Sequence, residues 1–65
     1  MKIKLNGEEI QTAQNLLIGL LREYKIDTKS IVVAINTNIV KKEKWDSHFL
    51  KENDVIECLT FMGGG

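Results

Sequence analysis

The first residues of the chain alternate between polar and apolar side chains. Ile3 and Leu5 are the apolar positions, and this two-residue period is typical of a strand with one buried face. Asn6 and Gly7 follow, and both tolerate the positive φ of a tight hairpin turn. The segment 8–11 then returns as a second strand. The pattern therefore predicts a β-hairpin at the start of the chain.

The period then changes to that of a helix. Apolar residues recur at i, i+1, i+4, i+5 and i+8, which is one stripe of an α-helix. Thr12 is the predicted N-cap, and the helix is predicted to end near Lys25. The stripe that packs on the sheet consists of Leu16, Leu17, Leu20, Leu21 and Tyr24.

The next segments predict a second hairpin. Residues 31–35 are nearly all β-branched, which favours a strand that is apolar on both faces. Residues 36–38 are of types that favour a turn, and residues 39–40 are predicted to begin a short strand. It ends in the charged run 41–44, which we interpret as the solvated protection of a sheet edge.

The end of the chain predicts an irregular segment and a last strand. One or more of Trp45, Phe49 and Leu50 is expected to close the core. A polar turn at 52–54 leads into the strand 55–61. Met62 and three glycines follow this strand.

One helix packed on one face of a mixed sheet is the two-layer solution for this order of elements. The predicted fold class is therefore α+β, a β-grasp or ubiquitin-like domain of the ββαββ type. We expect the domain to span residues 1–62 and to carry a flexible C-terminal tail of Gly63, Gly64 and Gly65.

The charge and the cysteine content limit the classes of binding partner and the cellular compartment that we expect. Nine basic and nine acidic residues cancel, so the chain lacks the basic field that binds nucleic acid or an anionic membrane. The single cysteine, Cys58, excludes an internal disulfide and suits a reducing compartment. No apolar run approaches the ~18 residues of a spanning helix, and the first residues lack a signal core. A cytoplasmic protein is expected.

Residues for catalysis or metal binding are few. His48 is the only histidine and Cys58 the only thiol, too few for a structural zinc site with its usual four ligands. Cys58 shares a strand face with Ile56, which we predict to be buried, where a free cysteine behaves as a small hydrophobe. We therefore predict that the chain is not an enzyme and binds no metal or cofactor itself.

The glycine tail predicts a different kind of chemistry. Glycine contributes nothing to a core and loses the most backbone entropy on ordering, so folding gives no reason for three in a row. A tail without side chains could enter a narrow site and present the Gly65 carboxylate to another protein. After adenylation with ATP by that protein, the carboxylate could become a thiocarboxylate or an amide.

Strand alternation also predicts a docking surface. Four apolar residues should point away from the helix, and they form one patch if strands 31–35 and 55–61 are neighbours. We expect this patch to dock the activating enzyme, because a small monomer rarely exposes such a surface without a use. Alternatively, one or two of its residues pack under the segment around Trp45. The predicted patch consists of Val32, Ala34, Val55 and Leu59.

Residues along the whole chain carry a family resemblance, namely residues 1–8, the leucine pairs 16–17 and 20–21, residues 33–36, Trp45, Leu50, residues 54–57 and the end 61–65. In these residues the sequence resembles the ThiS family over its whole length. Two departures stand out, namely Asn53, where the family usually has glycine, and Cys58, where it usually has a larger aliphatic residue. Asparagine tolerates a left-handed conformation, so we expect the turn at Asn53 to survive.

The resemblance implies a sulfur carrier of thiamine biosynthesis. It implies that a ThiF-like enzyme adenylates Gly65 with ATP, and that sulfur from cysteine, delivered by a donor such as a cysteine desulfurase, makes the thiocarboxylate. A ThiG-like thiazole synthase then takes the sulfur. Gly64 would be the slim neighbour of the modified residue, and Gly63, Met62 and Phe61 would guide the tail.

Other assignments stay open at this stage. A MoaD-like small subunit of molybdopterin synthase shares the fold, the glycine end and the thiocarboxylate, although it is typically longer. A carrier for another sulfur pathway is also compatible. In a different class, a ubiquitin-like modifier would form covalent adducts with target lysines, and a plain interaction module would work without the tail.

Overall fold

The computed structural model describes residues 1–60, which form one five-stranded mixed sheet and one α-helix. The strands lie in the order β2-β1-β5-β3-β4, with β1 parallel to β5 and all other neighbours antiparallel. This arrangement confirms the predicted α+β class, a β-grasp with one helix on a mixed sheet, and with the short strand β4 counted the full order of elements is ββαβββ. The elements are β1 Lys2–Leu5, β2 Glu8–Gln11, α1 Leu17–Glu23, β3 Ile31–Ile35, β4 Asn38–Val40, a 3₁₀ turn Lys42–Lys44 and β5 Val55–Thr60.

Two-residue turns close both hairpins. Asn6 and Gly7 have φ of 51° and 85°, and Asn36 and Thr37 have φ of 51° and 72°. Positive φ at both central residues is the mark of the type I′ turn, whose twist matches that of the flanking strands. The predicted first hairpin is confirmed. Thr37 is β-branched and unusual in this conformation, so the rest of the hairpin must hold it there.

The hydrophobic core lies between α1 and the sheet. Leu17, Leu20 and Leu21 are fully buried, as the helical stripe predicts. Tyr24 is 43% exposed, so the prediction that it completes the stripe is wrong. The helix ends at Glu23, and Tyr24 is its C-cap rather than a further turn. The strands and the later loop contribute Ile3, Leu5, Val33, Ile35, Trp45, Leu50 and Ile56 to the same cluster.

The start of α1 also differs from the prediction. Thr12 is not the N-cap, because the helix begins five residues later at Leu17. The backbone N–H of Leu17 donates to the carbonyl of His48 at 2.9 Å. A segment distant in sequence therefore provides the hydrogen-bond acceptor for the first residue of the helix. Thr12 is buried instead, where its hydroxyl accepts from the N–H of Gln14 at 3.0 Å and donates to Oε1 of Glu23 at 3.1 Å.

The segment before the last strand closes the core with two of its three large apolar residues. Trp45 is 3% exposed, and its Nε1 donates to the carbonyl of Val40 at 2.8 Å. Leu50 is also buried. Phe49 is 66% exposed and contributes its backbone, which forms an isolated antiparallel bridge with Leu16. The indole and the leucine, not the phenylalanine, therefore fill the space beside α1.

A buried carboxylate organises the entry into β5. Asn53 has φ of 70°, which confirms that asparagine sustains this turn in place of glycine. Asp54 is 6% exposed, and its two oxygens accept from Nδ2 of Asn36 at 2.9 Å and from the N–H of Lys51 at 2.8 Å. Oδ1 of Asn36 accepts in turn from the N–H of Val55 at 2.9 Å. These bonds fasten the β3–β4 turn to the first residue of β5.

Within residues 1–60, no helix has the length and apolar character needed to cross a bilayer. The seven-residue α1 is a core helix.

Candidate partner-binding surface

The predicted reactive end of the chain lies outside the described residues. The predictions for Phe61, Met62, Gly63, Gly64 and Gly65 therefore stay predictions, as does the boundary between domain and tail. The structure does define the strand that carries them. β5 is the middle strand of the sheet and is hydrogen-bonded to β1 and β3. In the sequence, the tail thus follows the central strand of the sheet.

The two faces of β5 are those that alternation predicts. Ile56 is fully buried in the core, and Cys58 is half-buried and packs against it. Burial raises the pKa of the Cys58 thiol above its ordinary value, because desolvation disfavours the thiolate. The thiol is therefore held in its neutral form at neutral pH. Cys58 packs against the core as a small hydrophobe, as the alternation along β5 predicts.

His48 has a different environment from Cys58. It lines two shallow clefts beside β4, and Cys58 lines neither of them. Within residues 1–60, no three metal-binding side chains are grouped as a metal site. His48 and Cys58 therefore do not line a common cleft within the described residues.

The four residues of the predicted patch share the open face of the sheet. β3 and β5 are antiparallel neighbours, with Val32 opposite Leu59 and Ala34 opposite Glu57. Val55 and Leu59 are 39% and 55% exposed, Val32 is half-buried, and Ala34 is buried. The alternative of packing under the segment around Trp45 does not hold. That side chain belongs to the core cluster on the helix side, where none of the four packs.

The open face also contains an apolar residue that the sequence reasoning missed. Ile39 on β4 is 60% exposed and lies opposite Ala34. The signal was present in the sequence, because a two-residue turn at Asn36 and Thr37 places these two residues opposite each other. We call the enlarged surface the outer patch, and it consists of Val32, Ala34, Ile39, Val55 and Leu59.

The part of the open face formed by β1 and β2 is polar and largely charged. Lys4 on β1 lies opposite Glu9 on β2, and Lys2 lies opposite Gln11. Nζ of Lys2 is 3.7 Å from Oε2 of Glu9, and both side chains are largely exposed, so this pair contributes at most ~1 kcal/mol. The face thus has a charged half on β1 and β2 and an apolar half on β5, β3 and β4.

The strand order, the parallel pairing of β1 with β5 and the single helix on one face define a ubiquitin-like β-grasp domain. Its apolar sheet surface includes two residues of β5, the strand that precedes the glycine tail in the sequence. A family model described as the ThiS family matches residues 3–65. The chain belongs to the ThiS family.

Individual relatives agree with this assignment. The chain is 32% identical over 65 residues to the sulfur carrier protein ThiS of Bacillus subtilis (strain 168), with 97% of this chain and 98% of that protein covered. The crystal structure of a thiamine biosynthesis protein (ThiS) from Geobacter metallireducens superposes with a TM-score of 0.87 at 28% identity, and both chains are covered in full. The likeness therefore extends over the whole domain.

A second group of relatives is larger than this chain. The chain is 32% identical over 66 aligned positions to a thiazole synthase of Paramagnetospirillum magneticum (strain ATCC 700264 / AMB-1). All of this chain is covered, but only 20% of that protein. A segment that resembles the whole of this chain therefore makes up about one fifth of that thiazole synthase.

Proposed function

We propose that this chain is a sulfur carrier of thiamine biosynthesis whose C-terminal Gly65 is converted to a thiocarboxylate. The observation that carries the proposal is that the ThiS family match continues to residue 65 and so includes the terminal glycines. Similarity to a sulfur carrier protein over 97% of the chain supports it. The chain acts as the substrate and carrier, and its partners supply the catalysis.

The chemistry requires activation before sulfur can enter. An oxygen of the Gly65 carboxylate attacks the α-phosphate of ATP on a ThiF-like enzyme, and pyrophosphate leaves. The terminal sulfur of a persulfide, charged by a cysteine desulfurase, then attacks the acyl carbon, and AMP leaves. A second thiol then attacks the donor's own sulfur in the resulting acyl disulfide. The S–S bond breaks, and the donor and the second thiol are left joined as a disulfide. The thiocarboxylate that remains is the sulfur donor.

A ThiG-like thiazole synthase is the proposed acceptor. Two thiazole synthases contain a segment similar to all of this chain, at 32% and 36% identity. A carrier domain and a synthase in one polypeptide would be held at high effective concentration, which suits proteins that exchange a group directly. This supports thiazole formation over molybdopterin synthesis as the use of the sulfur.

The sulfur exchange itself can be tested by intact mass. We expect incubation with the ThiF-like enzyme of the same cell, ATP and a cysteine-fed desulfurase to replace one oxygen of the chain by sulfur. Fragmentation should assign the change to Gly65. Omission of ATP is the control and should leave the mass unchanged. An unaltered mass with every adenylating enzyme of that cell would count against the proposal.

The outer patch is the proposed docking surface for the adenylating enzyme. Its residues lie on β5 and the strands beyond it, on one side of the sheet. A rigid patch next to the origin of the tail would let the enzyme hold the domain while the tail reaches its active site. Exposed apolar surface on a small domain is typical of such an interface.

Leu59→Lys tests this docking surface. The side chain is 55% exposed, so we expect the variant to fold and to unfold at nearly the wild-type temperature. A lysine in the middle of an apolar interface must be desolvated, so the kcat/KM for adenylation should fall by about tenfold or more. The readout is ATP–pyrophosphate exchange that depends on the chain.

Gln11→Lys is the matched control for Leu59→Lys. It adds the same charge on an exposed residue of β2, outside the outer patch. We expect it to keep the wild-type rate of adenylation. Equal losses in both variants would mean that net charge, not the patch, governs the encounter.

A further inference from the structure

One carboxylate interrupts the outer patch. Glu57 is an exposed residue of β5 between Val55 and Leu59, and it points to the same open face. On the neighbouring strand β3, the residue opposite Glu57 is Ala34. On the other side of Ala34, the opposite residue is Ile39 on β4. Ala34 is only 6% exposed, because these longer side chains stand on both sides of it. Glu57, Ala34 and Ile39 thus lie side by side in one row across the open face, with the small buried alanine between a carboxylate and an isoleucine.

Glu57 has no ion-pair partner among residues 1–60. The ion pair that the described chain forms, Lys2 with Glu9, lies on the other half of the face. The register places Lys4 opposite Val55, one row away, and its ammonium does not form an ion pair with Glu57. The carboxylate is therefore hydrated in the free protein, and a partner that covers the patch must replace that water.

Covering this carboxylate with a purely apolar surface is strongly unfavourable. A buried charge without a partner loses its hydration and gains nothing in return, and this loss can exceed what the apolar contacts around it contribute. A surface with a cation in the right place removes the penalty. A carboxylate inside an apolar patch thus disfavours binding of purely apolar or anionic surfaces, and it favours an apolar surface that carries a cation opposite the carboxylate.

We propose that Glu57 is the specificity-determining contact of the outer patch, and that the enzyme that docks there places one cationic side chain, arginine or lysine, against this carboxylate. An arginine fits this site because its aliphatic stem can pack on the exposed apolar side chains of the patch while its planar guanidinium bonds both carboxylate oxygens. The identity of the partner as the adenylating enzyme rests on the proposed function. The requirement for a cation rests on the geometry of the sheet.

The test measures the Kd of the chain for the purified ThiF-like adenylating enzyme at low and high salt. We expect Glu57→Gln, which keeps the shape and removes the charge, to weaken binding about tenfold and to flatten its salt dependence. Glu57→Lys should weaken it by about a hundredfold or more. Glu9→Lys makes the same reversal on the charged half of the same face, and its Kd should stay within about twofold of wild type.

A charge swap then identifies the cation. Changing the matching arginine or lysine of the enzyme to glutamate should restore at least about tenfold of the affinity lost by Glu57→Lys, while it weakens binding of the wild-type chain. Because Glu57 is exposed, the variants should unfold at the wild-type temperature, which separates lost docking from lost folding. Wild-type affinity of Glu57→Lys, or equal losses in Glu9→Lys, would overturn the proposal.

Two further outcomes distinguish this proposal from the function on which it rests. If the wild-type chain binds the enzyme and its affinity follows Glu57, but Gly65 never gains sulfur, the docking contact stands and the carrier function fails. If Glu57→Lys becomes a thiocarboxylate at the wild-type rate, the function stands and the docking contact is wrong. A loss confined to binding of the thiazole synthase would likewise overturn the assignment of the contact to the adenylating enzyme.

Discussion

Deletion of Gly65 is expected to abolish thiocarboxylate formation while it leaves the fold intact. The shortened chain still ends in a glycine carboxylate, that of Gly64, but its reach is reduced by ~3.5 Å. A misplacement of ~1 Å can cost a hundredfold in a reaction that depends on orientation. We therefore expect adenylation to fall by at least about a hundredfold, as measured by ATP–pyrophosphate exchange and intact mass.

Two measurements keep this result interpretable. The described core ends with β5 at Thr60, so thermal unfolding of the deletion variant should match that of the wild type. Its affinity for the adenylating enzyme should also survive, because docking is assigned to the outer patch and not to the tail. Undiminished sulfur transfer by the shortened chain would show that the position of the terminal carboxylate is not what the enzyme recognises.

Replacement of Trp45 by alanine is expected to be the most destabilising single substitution in the loop that closes the core. The side chain is 3% exposed and its indole N–H is bonded to the carbonyl of Val40. Loss of a buried tryptophan costs about 3–5 kcal/mol. A domain of 65 residues has roughly 3–10 kcal/mol of total stability, so much or all of it would be lost. Urea unfolding followed by far-UV circular dichroism measures the effect, since the variant has no tryptophan left for fluorescence.

Two companion variants separate burial from hydrogen bonding. Phe49→Ala removes a large aromatic ring four residues away, but that ring is 66% exposed, so we expect a loss below ~1 kcal/mol. Trp45→Phe keeps most of the apolar volume and loses the bond to Val40, for which we expect an intermediate loss. A larger effect of Phe49→Ala than of Trp45→Ala would contradict the assignment of the core.

Local patterns predicted most of the fold. The alternation of Ile3 and Leu5 and the Asn6-Gly7 turn were enough for the first hairpin, because side-chain periodicity and turn conformation involve only neighbouring residues. The leucines of α1 were predicted in the same way from a 3.6-residue period. Glycine was not needed at position 53, because asparagine also accepts positive φ.

The predictions that failed depend on distant residues. Thr12 has the chemistry of an N-cap, but the backbone of Leu17 bonds to His48 instead, and the helix begins there. Tyr24 has the right spacing for the core, but the helix ends before it. Composition alone could not say that Trp45 would be buried and Phe49 exposed. Each outcome depends on where a loop lies against the helix, which no local pattern contains.

The sequence by itself determined most of the elements and the class of the fold, because these follow from periodicity, turn residues and residue type, and the chemistry of the glycine end stays a prediction. Only the tertiary structure decided which residues share a surface. The strand order places β5 between β1 and β3, and this brings Glu57 opposite Ala34 and within the apolar row that ends at Ile39. The physical reason is that strand pairing joins segments far apart in the chain, so the outer patch and its single carboxylate exist only once the sheet has formed.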